Sequence, residues 1–146
     1  MSRYSLWSLA LVCAASASCH HEDSFVSLAD LCAVRAEAIC NARNNGCCPT
    51  SDPNCMQTLE AACEVELMAI AAEPARSYDA VLADKRSNAL HQAVDACGSP
   101  APLATFFEGG LAIGSACERG AQCESGNCAG TPTVCSDPAV IALCGP

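Results

Sequence analysis

Fourteen of the 146 residues are cysteine, and that density constrains the fold more than any other feature. Aromatic residues make up only 4% of the chain, so the bulky side chains that usually fill an interior are scarce. Tyr4 and Trp7 fall in the N-terminal leader, which leaves Phe25, Tyr78, Phe106 and Phe107 for the rest. Alanine, leucine and cystine must therefore supply the core. A native disulfide in a small secreted domain contributes about 2–4 kcal/mol, so several bridges would outweigh a thin alanine-rich interior. The length allows one domain, or a modest domain with a small appendage.

The first eighteen residues have the form of a secretory signal peptide. Met1 to Tyr4 carry one positive charge, Leu6 to Ala15 are largely apolar, and Ala15-Ser16-Ala17 is a small-x-small cleavage signature. Cleavage after Ala17 would leave Ser18 at the new terminus, and cleavage after Ser18 would leave Cys19 there. Ser16-Ala17-Ser18-Cys19 resembles the lipobox of bacterial lipoproteins, with Ser16 where a leucine is usual. Parity bears on the choice. Processing removes Cys13 and leaves thirteen of the fourteen cysteines, a number that cannot all pair. If Cys19 carries lipid, the remaining twelve form six bridges and residues 19–24 read as a polar tether.

The processed chain is acidic. Without Arg3, six bases stand against sixteen acids, a balance of −10. A surface of that sign repels phosphate backbones, so nucleic acid is not an expected partner. No stretch reaches the roughly eighteen apolar residues that a membrane-spanning helix needs. Membrane attachment is expected through an N-terminal lipid alone.

Residues 25–98 read as a helical domain. Leu28, Leu31, Cys32, Ala36, Ile39 and Cys40 recur at steps of three and four, and Asn44-Asn45-Gly46 is a stop. Ser51-Asp52-Pro53 offers a cap and an early proline for a second helix carrying Cys55, Leu59, Cys63, Leu67 and Ile70, closed by Pro74. Tyr78, Leu82, Leu90, Val94 and Cys97 suggest a third helix ending at Gly98, with the polar Lys85-Arg86-Ser87-Asn88 as a kink or a solvent face. Cys32 and Cys40 have the same spacing as Cys55 and Cys63, which places each pair about 12 Å apart on one side of its helix. Folded antiparallel, the helices would bring Cys32 opposite Cys63 and Cys40 opposite Cys55; spacing alone also leaves other partners open. The arrangement resembles helical hairpins stapled through twin C-x9-C or C-x3-C motifs. Cys47 and Cys48, in the connection, are each expected to reach a different partner because vicinal bridges are strained.

Composition changes at Ser99-Pro100-Ala101-Pro102, and residues 99–113 read as a linker. Residues 114–146 form a cysteine-rich module containing Cys117, Cys123, Cys128 and Cys135. Its pattern, from Gly114 through Glu124-Ser125-Gly126-Asn127-Cys128 to Cys135, resembles the motif of Dickkopf-type N-terminal cysteine-rich regions and of cysteine-rich lipoproteins of the myxobacterial type. That resemblance covers about twenty-five residues and implies a small disulfide knot; it does not imply signalling, since function belongs to sites. The expected pairs are Cys117 with Cys128 and Cys123 with Cys135. Five cysteines follow residue 98 and seven of the twelve precede it, so at least one bridge crosses if all pair. Cys144, joined to Cys97, Cys47 or Cys48, is the candidate.

The remaining chemistry is sparse. No C-x2-C occurs, which argues against zinc knuckles and thioredoxin-type redox sites. There is no G-x-S-x-G turn, and His91 with Asp95 reads as a solvated helix pair. Gly109-Gly110 and Gly114 lack the lysine of a phosphate loop. His20-His21 near a free amine would chelate copper or nickel, but acylation of that amine removes the site, and the tether reading is preferred. The expectation is therefore a mostly α, disulfide-stapled helical hairpin plus third helix, with an irregular C-terminal knot. It needs no metal or cofactor, is not an enzyme, and is exported to the cell envelope as a lipid-anchored structural or binding module with a possible envelope or extracellular protein partner. A freely secreted effector or inhibitor is the alternative.

Overall fold

A computed structural model describes residues 25–49 and 52–144. The first helix, α1 (Leu31–Ala42), is followed by a widened turn at Arg43–Cys47 and then by α2 (Cys55–Ala71). A two-residue strand, β1 (Ser77–Tyr78), precedes α3 (Ala80–Asp95), and β2 (Phe107–Glu108) pairs antiparallel with β1. In the C-terminal module β3 (Cys128–Ala129) pairs antiparallel with β4 (Val134–Cys135). The fold is a small disulfide-stapled helical domain with a C-terminal cysteine cluster, as the spacing predicted.

Local chemistry sets the helix limits. Leu28 lies before α1, exposed, in a turn where the Ser27 hydroxyl donates to Asp30 Oδ2 at 2.5 Å. The chain leaves α1 through Gly46, whose φ of 102° is open to glycine and strained for other residues. Ahead of α2, Asp52 Oδ1 accepts from the Asn54 amide at 2.8 Å, forming an Asx turn. Asp79 caps α3 by accepting from the Leu82 amide at 2.7 Å. At the other end, Gly98 N–H donates to Ala93 O at 2.8 Å and Cys97 N–H to Val94 O at 2.9 Å, the paired bonds of a Schellman turn. Cys97, not the following glycine, takes the left-handed position, at φ 58°.

Two sequence expectations change. Tyr78 belongs to β1, outside the third helix, because Asp79 starts α3 and Tyr78 pairs with Phe107. The helix runs unbroken through Lys85-Arg86-Ser87-Asn88, a solvent face from which only Ser87 is buried. Residues 99–113 are more than a linker: Leu103, Ala104, Phe106 and Phe107 are buried and pack with the helices. In a chain with so few aromatics, these side chains are too large an apolar resource to leave in solvent.

The resulting core joins Leu31, Ile39, Ile70, Leu90, Val94 and Phe106, with Leu143 reaching it from near the C-terminus. Tyr78 and Phe107 meet edge to face with centroids 5.6 Å apart. A smaller cluster of Cys117, Cys123 and Cys135, backed by Cys128, is the interior of the terminal module.

Candidate functional site

The disulfides fix where any site can lie. Cys32 is bonded to Cys63 and Cys40 to Cys55, which staples α1 to α2 in the antiparallel order read from the matched spacing. Cys117–Cys128 and Cys123–Cys135 interlock in the terminal module. The vicinal cysteines diverge: Cys47 joins Cys97 and Cys48 joins Cys144. The second of these is the bridge between the two regions. Cys19, His20 and His21 lie outside the described residues.

Where the terminal module meets the helical body, an ion pair and a buried guanidinium add to that bridge. Arg119 Nε lies 2.5 Å from Glu73 Oε1, with Arg119 exposed and Glu73 buried. Arg76 is 8% exposed. Its Nη2 donates to Ala104 O, while Nε and Nη1 have no hydrogen-bond partner among the described residues. Burial lowers its pKa, and the carboxylates of Glu124 and Glu73 act in the opposite direction. Gly110 is required beside it, because a Cβ there would lie 2.0 Å from Arg76 Nη1 and 2.6 Å from Glu124 N. The Gly109-Gly110 pair thus serves close backbone approach, a role distinct from phosphate binding.

The same junction forms a groove of about 630 Å³ between α3, β2 and the terminal module. Leu82, Phe107, Ile113 and Pro138 make its apolar surface, and Arg86, Glu108 and Glu124 its charged rim. Ser125 also lines it, but its Oγ faces the Asn127 backbone, accepting from N–H at 3.3 Å. A smaller cleft of about 170 Å³ lies between α1, α2 and the C-terminal strap, with Arg35, Arg43 and Glu66 among its walls. Arg35 Nη1 donates to Ala101 O at 2.6 Å, and burial lowers its pKa against the opposing pull of Glu66. Burial raises the Glu66 carboxyl in turn, with Arg35 opposing. Arg43 Nε donates to Leu143 O at 2.6 Å and holds the strap down.

Three sulfurs, those of Cys117, Cys123 and Cys128, lie within 4.8 Å of one another. All three are spent in disulfides, so they offer no thiolate to a metal. His91 and Asp95 sit one turn apart on α3, with Asp95 exposed.

Comparison with protein-family models, with curated proteins and with solved structures finds no match to this chain.

Sequence reasoning did not find Arg76 or Glu73. Both flank Pro74, where helical periodicity has ended and no motif marks a buried arginine. The groove was equally hidden, since its walls come from three segments distant in sequence.

Proposed function

We propose that this is a non-enzymatic, lipid-anchored protein of the cell envelope, a structural or binding module tethered through Cys19. One observation carries the reading: the twelve cysteines from Cys32 to Cys144 pair entirely among themselves. Cys19 is then left without a partner cysteine in the processed chain, behind small residues that suit lipoprotein processing. Six disulfides fit an oxidising, extracellular or envelope compartment. Among the described residues no helix is long and apolar enough to cross a membrane. The non-enzymatic part rests on the sequence, whose thiols are committed to bridges and which lacks a nucleophile motif.

Acylation should place the protein in the membrane fraction, because each buried methylene adds about 0.8 kcal/mol and two or more chains anchor firmly. The test is expression in a bacterium with lipoprotein processing, followed by fractionation. Wild type is expected in the membrane and Cys19→Ser in the soluble fraction, both with six bridges. A wild-type protein recovered wholly in the soluble fraction would support the secreted effector or inhibitor instead.

A further inference from the structure

Helices α1 and α3 pack side by side and run in the same direction. Cys47, just past α1, is bonded to Cys97, just past α3. At the other end the Tyr78 hydroxyl, ahead of α3, donates to Val26 O, ahead of α1, at 2.5 Å. The segments that lead into both helices therefore share one end of the body. Large apolar side chains are exposed on them: Phe25 at 48%, Leu28 at 38% and, in the first turn of α3, Val81 at 62%.

The position of the anchor says what lies against this end. Cys19 is six residues before Phe25, so the chain between them spans about 20 Å at most, however it is arranged. The opposite end is reached along α1, whose 12 residues rise about 18 Å. It carries Met56, exposed in its turn, beside the Cys40–Cys55 bridge. Resting that end on a bilayer would lift Phe25 by nearly the whole span that the chain to the lipid allows. The end with Phe25 instead stays close to the surface, at the high effective concentration that a short tether gives. Exposed phenylalanine and leucine side chains suit the boundary between headgroups and acyl chains. Charge narrows the choice of lipid. Residues 25–34 and 77–84 contain Asp30, Asp79 and Asp84 and no lysine or arginine, so the contact gains nothing from anionic headgroups. We propose that the end bearing Phe25, Leu28 and Val81 seats on a zwitterionic lipid surface and sets the orientation of the domain there. This deepens the lipid-anchor reading and rests on it.

Under the proposed processing Trp7 leaves with the leader, so a tryptophan introduced elsewhere is the only one in the chain. Phe25→Trp, Leu28→Trp and Met56→Trp all fall at exposed positions. Each is purified as the full lipoprotein with its disulfides intact and reconstituted into vesicles of phosphatidylcholine with brominated acyl chains, which quench indole emission at close range. Phe25→Trp and Leu28→Trp are expected to be quenched several-fold more than Met56→Trp, with emission shifted to shorter wavelength. Leu28→Trp keeps Phe25 in place, so the reading does not depend on replacing it. Adding phosphatidylglycerol is expected to leave the quenching unchanged or to lower it. Equal quenching at all three positions, or more at Met56→Trp, would overturn the proposal. Quenching that appears only with phosphatidylglycerol would overturn it too, by making the attraction electrostatic. A shift in emission without bromine quenching, growing with the number of chains per vesicle, would assign this end to a second copy. Mass spectrometry of the N-terminal peptide separates the two levels of failure. An unacylated Cys19 would remove the anchor reading and this proposal together, whereas the other adverse results, obtained on acylated protein, leave the anchor reading standing.

Discussion

Cys48 and Cys144 are joined across 96 residues of chain, and that bond makes the helical body and the terminal module one unit. Leu143, buried next to it, and the Arg43 hydrogen bond to Leu143 O hold the same strap from the α1 side. The bridge is also accessible, since Cys144 is exposed and Cys48 only half-buried. By contrast, both partners are buried in Cys32–Cys63, Cys40–Cys55 and Cys123–Cys135.

Limited treatment with a dithiol under native conditions should therefore open Cys48–Cys144 first, each disulfide taking two electrons to give two thiols. Cys47–Cys97 is the nearest rival, but Cys97 is fixed in the Schellman turn of α3, whereas Cys144 lies outside every helix and strand. Alkylation and mass mapping should find Cys48 and Cys144 labelled before any other pair, with the helical circular dichroism retained. Removal by Cys48→Ser with Cys144→Ser should cost about 2–4 kcal/mol; the other five bridges already shorten the loop, which keeps the loss below that of an isolated loop of this length. Earlier labelling of a core pair would contradict the order.

Arg76 provides a second test of how the two regions hold together. Arg76→Ala removes the donor to Ala104 O and leaves a cavity under Gly110, so denaturation with disulfides intact should show a loss of about 2–4 kcal/mol. Arg76→Met keeps much of the side-chain volume and removes a desolvated charge, and its loss should be smaller. Equal losses would mean that the guanidinium itself, through its bond to Ala104 and its attraction to Glu73 and Glu124, carries the docking.

The sequence disclosed what depends on periodicity and little that depends on convergence. The Cys32–Cys63 and Cys40–Cys55 staples were readable because two equal spacings on two helices permit one antiparallel register. Leu103 and Phe106 were not, because they follow two prolines in a segment with neither helical nor strand period. The strands β1 and β2 are two residues each and leave no alternation to detect.

Tyr78 gives a pH-dependent prediction. Its hydroxyl donates to Val26 O at 2.5 Å, which requires the protonated phenol. Burial first, and the nearby Asp30 carboxylate second, raise its pKa above the ordinary 10.0. The folded chain then keeps a proton that the unfolded chain has lost, so stability falls as pH rises from the ordinary value through the raised one. Tyr78→Phe should lower stability at neutral pH by about 0.5–1.5 kcal/mol and abolish that part of the alkaline decline. Under the proposed processing Tyr4 leaves with the leader, which makes Tyr78 the single tyrosine of that chain. Its tyrosinate absorbance can thus be followed directly, and a midpoint at or below 10.0 would contradict the assignment.

Thiol accounting tests Cys19 independently of where the protein fractionates. Under the proposed processing leader removal takes Cys13, and the six bridges occupy the twelve cysteines from Cys32 to Cys144. A lipidated chain, denatured without reduction, should then titrate no thiol, and Cys19→Ser should titrate none either. The same chain exported through a signal that does not recruit lipoprotein processing should titrate one thiol per monomer, or form a dimer through Cys19 that a reductant dissolves. Mass spectrometry of the processed wild-type N-terminus supplies the complementary reading, an acylated Cys19 peptide. A new free thiol in Cys19→Ser would mean that Cys19 competes for a partner inside the framework. Cys144 would be the first position to examine, because its bridge is the one expected to be reduced first.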